Sequence, residues 1–359
     1  MKIGVLTGGG DCPGLNAVIR AVVKASHLKY GWGVIGVEDG FTGLMVPNRA
    51  REMTPQSVRG ILPAGGTILG TASDINPMKW KQVIDGREQI VDRSHVIVEN
   101  AQRLGLSGLI CIGGDGTLKV AHHLYQLGLP VIGIPKTIDN DIPDTDSTFG
   151  FHTAVNTATE ALDKLHTTAE SHRRVIVVEV MGRYAGWIAL EAGISGGADV
   201  ILIPEIPFQI DAVCKKIMDR YEQGAGFSIV VVAEGASPVG GEMSVIKRAE
   251  DGYVLRLGGI GNKVGEEIAA RTRVDVRVTV LGHIQRGGSP IPFDRSLATR
   301  FGVAACDLAA GQQFGQMVCL KGGEIQSVSL KEATRGLKFV PTEGNEVKSA
   351  EALGVSFGR

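Results

Sequence analysis

Val131-Ile132-Gly133-Ile134, followed by Pro135-Lys136-Thr137-Ile138-Asp139-Asn140-Asp141, is the stretch on which the reading of this chain turns. The apolar run predicts a buried strand. Just past its end stand two carboxylates, two residues apart, with Asn140 between them. In an open α/β sheet, ligands bind beyond the carboxyl ends of the strands. A carboxylate there can take a proton from a substrate hydroxyl, and a second can sit near enough to a metal or phosphate to tune it.

Working outward, the same grammar of strand, glycine turn and helix recurs. Lys2–Thr7 predicts a strand, residues 8–14 (GGGDCPG) a turn, and a helix begins near Leu15, with Ala17, Val18, Ala21, Val22 and Ala25 on one face. That geometry aims free backbone N–H groups at a phosphate. The turn matches neither the P-loop nor GxGxxG, so alone it serves equally as a tight turn without ligand. Leu109–Ile112 predicts a second buried strand, followed by Gly113-Gly114-Asp115-Gly116-Thr117 and a helix over 118–127. Its glycines let backbone approach phosphates, Thr117 is expected to cap the helix, and Asp115 is placed to hold Mg²⁺ directly or indirectly. The plainer alternative is that Asp115 caps its own turn.

Elsewhere, strands are expected at 34–37, 174–180, 200–203, 228–233 and 276–281, and helices at 96–104, 151–171, 187–195, 212–223, 263–271 and 296–310. Residues 39–71 read as irregular, with loops at Gly65-Gly66-Thr67 and Gly70-Thr71. The tail from about Glu332 carries little signal.

A length of 359 residues suits two α/β domains. The 50 glycines cluster after apolar runs, as strand-to-helix turns require. A net charge of −1 argues against a generalised polyanion surface, hence against nucleic acid as partner, though not against a local basic pocket. Five cysteines (12, 111, 214, 306, 319) lack metal spacing and read as reduced thiols. No signal peptide is expected, and no apolar run approaches the roughly 20 residues needed to span a bilayer. A cytoplasmic location is expected.

Five collinear blocks over residues 2–310 together resemble the 6-phosphofructokinase family: GGGDCPG, GGDGT at 113–117, PKTIDND at 135–141, VEVMGRYAGW at 178–187 and LGHIQRGGSP at 281–290. GGDGT alone is shared with NAD kinases and diacylglycerol kinases, which are not expected to carry the later blocks. The resemblance implies transfer of a nucleotide's γ-phosphoryl to the 1-hydroxyl of fructose 6-phosphate. It implies Asp139 as general base, Asp141 tuning field and metal, Asp115 as Mg²⁺ ligand, and Gly10 with Gly114, Asp115, Gly116 and Thr117 cradling ATP. Thr137 and Ile138 would contact the transferring group or the sugar. Met181, Gly182, Arg183 and Glu234 would bind the sugar and orient the phosphoryl group. Arg174, Arg277, Arg286 and His283 would bind the sugar phosphate, arginine offering planar, bidentate reach. Family positions matching Arg174 and Arg277 reach in from a neighbouring subunit, which implies a homotetramer or homodimer. By themselves Arg174 and Arg277 would read as solvated strand-edge residues, His283 as a buried structural histidine, Glu234 as a surface carboxylate and Lys136 as exposed.

The implied fold is α/β: two Rossmann-like three-layer domains with mostly parallel sheets and the active site in the inter-domain cleft. Residues 1–150 plus 285–335 are expected to bind nucleotide, and 151–284 plus 336–359 the sugar phosphate. Gly116 favours ATP, because pyrophosphate users typically carry Asp there, which fills the α-phosphate's space and repels it. Lys136 points toward pyrophosphate. Steric and charge exclusion is the more decisive effect, so ATP is expected, with the pyrophosphate-dependent phosphotransferase as the alternative. Ser73 stands where bacterial ATP enzymes often carry arginine. Arg20 and Lys24 lie where the family has effector-binding cations, whereas His166 and residues 223–227 lack the expected basic groups. Residues 239–261 are longer than in short bacterial members.

Overall fold

Val131–Thr137 is a strand, and it runs three residues beyond the apolar run that announces it. Pro135 and Lys136 are therefore inside the strand; Pro135 faces Gly113 of the parallel neighbour. The computed structural model describes residues 1–72, 76–84, 87–248 and 254–359. Ser73, and part of the long 239–261 stretch, lie outside the described residues.

In chain order the elements are β1 (Lys2–Thr7), α1 (Leu15–Tyr30), β2 (Gly33–Val37), β3 (Ala50–Met53), β4 (Trp80–Ile84), β5 (Arg87–Val91), α2 (Ser94–Arg103), β6 (Gly108–Gly113), α3 (Asp115–Gln126), β7 (Val131–Thr137), β8 (Phe149–Gly150) and α4 (Phe151–His172). There follow β9 (Val175–Val180), α5 (Trp187–Ser195), β10 (Val200–Leu202), α6 (Ile210–Glu222), β11 (Ser228–Ala233), β12 (Val245–Arg248), β13 (Val254–Leu257), α7 (Ile260–Thr272) and β14 (Val276–Val280). Last come α8 (Pro292–Ala310), β15 (Gln316–Lys321), β16 (Glu324–Ser329), α9 (Leu330–Ala333) and α10 (Asn345–Ala352). Strand β3 falls in the segment expected to be irregular; its four residues, exposed at Arg51 and Glu52 and buried at Met53, pair antiparallel to β2 and carry little period-2 signal.

The chain forms two units. The first comprises Met1–Ile138, Ile142–His152 and Arg286–Leu337. Its sheet has the order β16-β15-β7-β6-β1-β2-β3, with β8 also paired to β7, and is parallel except at β2/β3 and β15/β16. Helices α2, α3 and α9 bury one face through Ile97, Leu118, Ala121 and Leu330, against Leu6, Leu109, Cys111 and Met317. Helices α1 and α8 pack on each other and on the sheet. They approach so closely that a Cβ on Gly302 would lie 2.7 Å from the Ala21 Cβ and 2.9 Å from the Val18 carbonyl.

The second unit comprises Asp139–Asp141, Thr153–Gln285 and Lys338–Arg359, around an all-parallel sheet of order β10-β11-β9-β14. Its core joins Val175, Val177, Val200, Val230 and Val232 to Val213 and Ile217 of α6 and Val264 and Ile268 of α7. Glu179, buried in β9, accepts from the Gly259 and Gly261 N–H groups at 3.2 and 2.8 Å, and so closes the start of α7 that no local side chain caps. The poorly legible tail is structural. The Ile201 N–H of β10 donates to the Ser356 carbonyl and the Gln209 N–H to the Gly358 carbonyl. All five cysteines are buried and unpaired. No helix among the described residues is long and apolar enough to cross a membrane.

Burial on α5 pushes the Glu191 carboxyl up to about 7; Glu346 of α10 adds to the shift and Lys338 opposes it. A carboxyl raised in the folded state gives its full stability below the unfolded value of 4.5 and loses it as pH rises through about 7. Glu191→Gln, with no charge to desolvate, should be more stable than the parent at pH 8 by about 1–2 kcal/mol after discounting for partial exposure. The two should unfold alike near pH 4.5 in urea. Equal stability at both pH values would refute this assignment.

Candidate active site

In the first unit, β1, β6 and β7 lie side by side and end together. Thr7 pairs with Ile112, and Gly113 with Pro135. The strand order reverses at β1, flanked by β2 and β6, which is the switch point where α/β sheets open a crevice. Both glycine turns and the end of β7 are therefore brought to one edge. The Gly8 N–H donates to the Ile112 carbonyl at 2.9 Å, and Thr71 closes over the first turn through its hydroxyl to the Gly9 carbonyl at 2.5 Å.

Thr117 does not cap α3. The helix begins at Asp115 with Gly114 as N-cap, so Thr117 lies buried inside the first turn. Its side chain occupies the space beside both glycine turns. A Cβ on Gly8 would meet the Thr117 hydroxyl at 2.7 Å, and one on Gly113 the Thr117 Cβ at 2.3 Å. The glycines are needed so that turn and helix can close on that threonine. Gly116 differs: a Cβ there would meet nothing among the described residues within 4 Å. The space beside it is open, at a helix N-terminus whose N–H groups and dipole favour anions.

Asp115 Oδ2 accepts from Lys119 at 2.8 Å, while its buried Oδ1 has no hydrogen-bond partner among the described residues. An orphaned carboxylate oxygen at a phosphate-type turn fits a hard cation. No group of three or more His, Cys, Asp or Glu among the described residues could hold a metal. Mg²⁺ normally takes one or two carboxylates and completes its shell with phosphate oxygens and water, so a single aspartate suits it. Lys136 is buried, not exposed, and its ammonium donates to the Gly10 carbonyl. Arg286 also lies against the first turn: it donates to the Asp11 carbonyl at 3.1 Å, and a Cβ on Gly10 would meet its Nη1 at 2.6 Å.

Ile138 ends the first segment of the first unit, and Asp139–Asp141 belongs to the second. Asn140 is buried with φ of 51°, in the left-handed region. In that unit Met181-Gly182-Arg183 follows β9, and Glu234 follows the adjacent β11. They are brought together: the Glu234 N–H donates to the Val180 carbonyl at 2.9 Å and the Gly235 N–H to the Gly182 carbonyl at 3.1 Å. A Cβ on Gly235 would stand 2.0 Å from the Arg183 carbonyl. Gln285, which sequence reasoning missed, is fully buried and accepts the Met181 N–H at 2.9 Å. His283 is exposed in the short helical turn Gly282–Arg286.

Arg174 and Arg277 are not at that edge. Arg174 immediately precedes β9, and Arg277 is the second residue of β14, which pairs parallel with β9. They share Asp275: Oδ2 accepts from Arg174 Nε at 2.5 Å and Oδ1 from Arg277 Nη1. The length of β9 separates Arg174 from Met181, a span of about 23 Å at 3.3 Å per residue.

Residues 2–309 match the family described as Phosphofructokinase. The ATP-dependent 6-phosphofructokinase of Chloroflexus aurantiacus is 52% identical over 359 residues, covering 99% of this chain and 98% of its own. A protein named pyrophosphate–fructose 6-phosphate 1-phosphotransferase, from Streptomyces coelicolor, is 51% identical over 360 residues, 100% of each. Among solved structures, phosphofructokinase from Saccharomyces cerevisiae matches with a TM-score of 0.77 at 30% identity over 99% of this chain; the chain spans about half of that protein's length, 46%.

Proposed function

The chain belongs to the phosphofructokinase family, and from that premise we propose that it transfers the γ-phosphoryl group of ATP to the 1-hydroxyl of fructose 6-phosphate. The observation that carries the choice of donor is the open space beside Gly116. Relatives named for ATP and for pyrophosphate are equally similar overall, so overall identity does not separate the donors and a local feature must. Lys136, tied to the Gly10 carbonyl, steadies the first glycine turn whichever donor is used.

Asp139 accepts the proton of the sugar hydroxyl as its oxygen bonds to phosphorus. An ordinary carboxylate is a weak base, but in a loose phosphoryl-transfer transition state the proton leaves late and little basicity is needed. Asp141 adds negative field beside it. Asp115 would hold Mg²⁺, which when bound neutralises the phosphate oxygens. Gly10 and the backbone of Gly114–Thr117 cradle the triphosphate, and Thr137 with Ile138 lines the path of the transferring group. Met181, Gly182, Arg183 and Glu234 hold the sugar and orient the phosphoryl group, with His283 and Arg286 on the sugar phosphate. Arg174 and Arg277 serve the sugar phosphate of a neighbouring subunit in a homotetramer or homodimer. Their distance along β9 from Met181 supports this, since one hexose phosphate cannot bridge both ends of a strand. A cytoplasmic location accords with this chemistry.

The test is a coupled assay offering each donor separately. Turnover with ATP is expected to exceed that with pyrophosphate by at least about 10²-fold in kcat/KM, or roughly 2.7 kcal/mol of transition-state binding. Turnover with pyrophosphate and none with ATP would reverse the assignment.

A further inference from the structure

The C-terminal segment Lys338–Val340 grips the chain beside Asp139. The Lys338 ammonium donates to Asn140 Oδ1 at 2.9 Å, and the Lys338 backbone N–H donates to the Asp141 carbonyl at 2.8 Å. Residues 198 apart in sequence are thus joined at a non-glycine position with positive φ, one of two in the loop between β7 and β8 together with Asp144. A left-handed asparagine costs of order 1 kcal/mol and persists only where its surroundings hold it.

Lys338 is itself anchored. Its carbonyl accepts from Trp187 Nε1 at 3.0 Å, and its ammonium lies 5.5 Å from the centre of that indole. Two residues on, the Val340 N–H donates to Glu205 Oε1 at 2.9 Å, and Glu205 also accepts the Gly186 N–H at the start of α5. The segment therefore links the loop to buried structure at the start of α5. Such a strap restrains the backbone immediately after Asp139.

We propose that Lys338 is a positioning residue for the phosphoryl-transfer step: through Asn140 and Asp141 it fixes the backbone that aims the Asp139 carboxylate. The inference rests on the assignment of Asp139 as base. Misplacing a reacting group by about 1 Å can cost about 10²-fold in rate. Lys338→Met in the full-length protein is expected to lower kcat by about 10–10²-fold, with KM for ATP and fructose 6-phosphate changed less than about threefold. Lys338→Arg should recover most of the loss. Asn140→Gly keeps the left-handed backbone accessible but removes the acceptor. It should lower kcat in the same sense, and the double variant should fall no further than the worse single. Were Lys338→Met to unfold, Asn140→Gly and Lys338→Arg decide. Full kcat in Asn140→Gly overturns the proposal, as does a KM-only effect in either variant. If Asp139→Asn also keeps its turnover, the reading of the reaction fails instead.

Discussion

Asp139→Asn should lower kcat by about 10³-fold, within the 10²–10⁴ range for removal of a positioned general base. Asparagine is nearly isosteric, so the loop that holds Asn140 and Asp141 keeps its bonds to Lys338. KM for fructose 6-phosphate should change by only a few-fold, because the amide still contacts the hydroxyl but cannot accept its proton. Steady-state kinetics at saturating ATP, with a thermal melt confirming the fold, makes the measurement. A variant that keeps parental kcat removes Asp139 from the chemistry. One that loses only KM turns it into a binding group.

The second large effect is expected at Gly116. Gly116→Asp should lower kcat/KM for ATP by at least about 10²-fold, roughly 2.7 kcal/mol of transition-state binding. The physical account has two opposing parts. For the protein alone the substitution is mild: the added Cβ meets nothing among the described residues within 4 Å, and an acidic residue in the first turn of α3 complements the helix dipole by about 0.3–1 kcal/mol. For the nucleotide it is severe, since a carboxylate occupies the open space and repels the phosphate that would enter it. The melting temperature should hold or rise while ATP turnover collapses, and pyrophosphate turnover should not fall. Unchanged kcat/KM for ATP would show that the opening beside Gly116 is not where the nucleotide's phosphates go.

Much of the local structure around the candidate site was legible because its pieces are local. An apolar run followed by glycines says where a strand stops and a helix starts, and at 113–117 that reading needs no partner from elsewhere. Thr117 shows the limit. As a cap it was the obvious choice, yet α3 starts two residues earlier, and the threonine instead fills the room that Gly8 and Gly113 leave. Arg174 and Arg277 show it again. By themselves they read as solvated strand-edge residues and the resemblance implied a phosphate ligand, but only the pairing of β14 with β9 sets both on Asp275, at the end of the sheet away from Met181. Glu179 and Gln285 carried no local signal, because each answers a backbone N–H far along the chain.

Alone, the order of residues determined the α/β class, the glycine turns, the Asp139–Asp141 pair and the space-leaving residue at 116, because strand and turn propensities act over a few neighbours. Only the folded chain decided that β1, β6 and β7 end together, that Lys136 is buried against Gly10, and that a tail with no readable pattern straps the loop at Asn140. Those facts depend on strand order and on contacts up to 198 residues apart, whose closure is set by packing against the sheets and not by any short stretch of sequence.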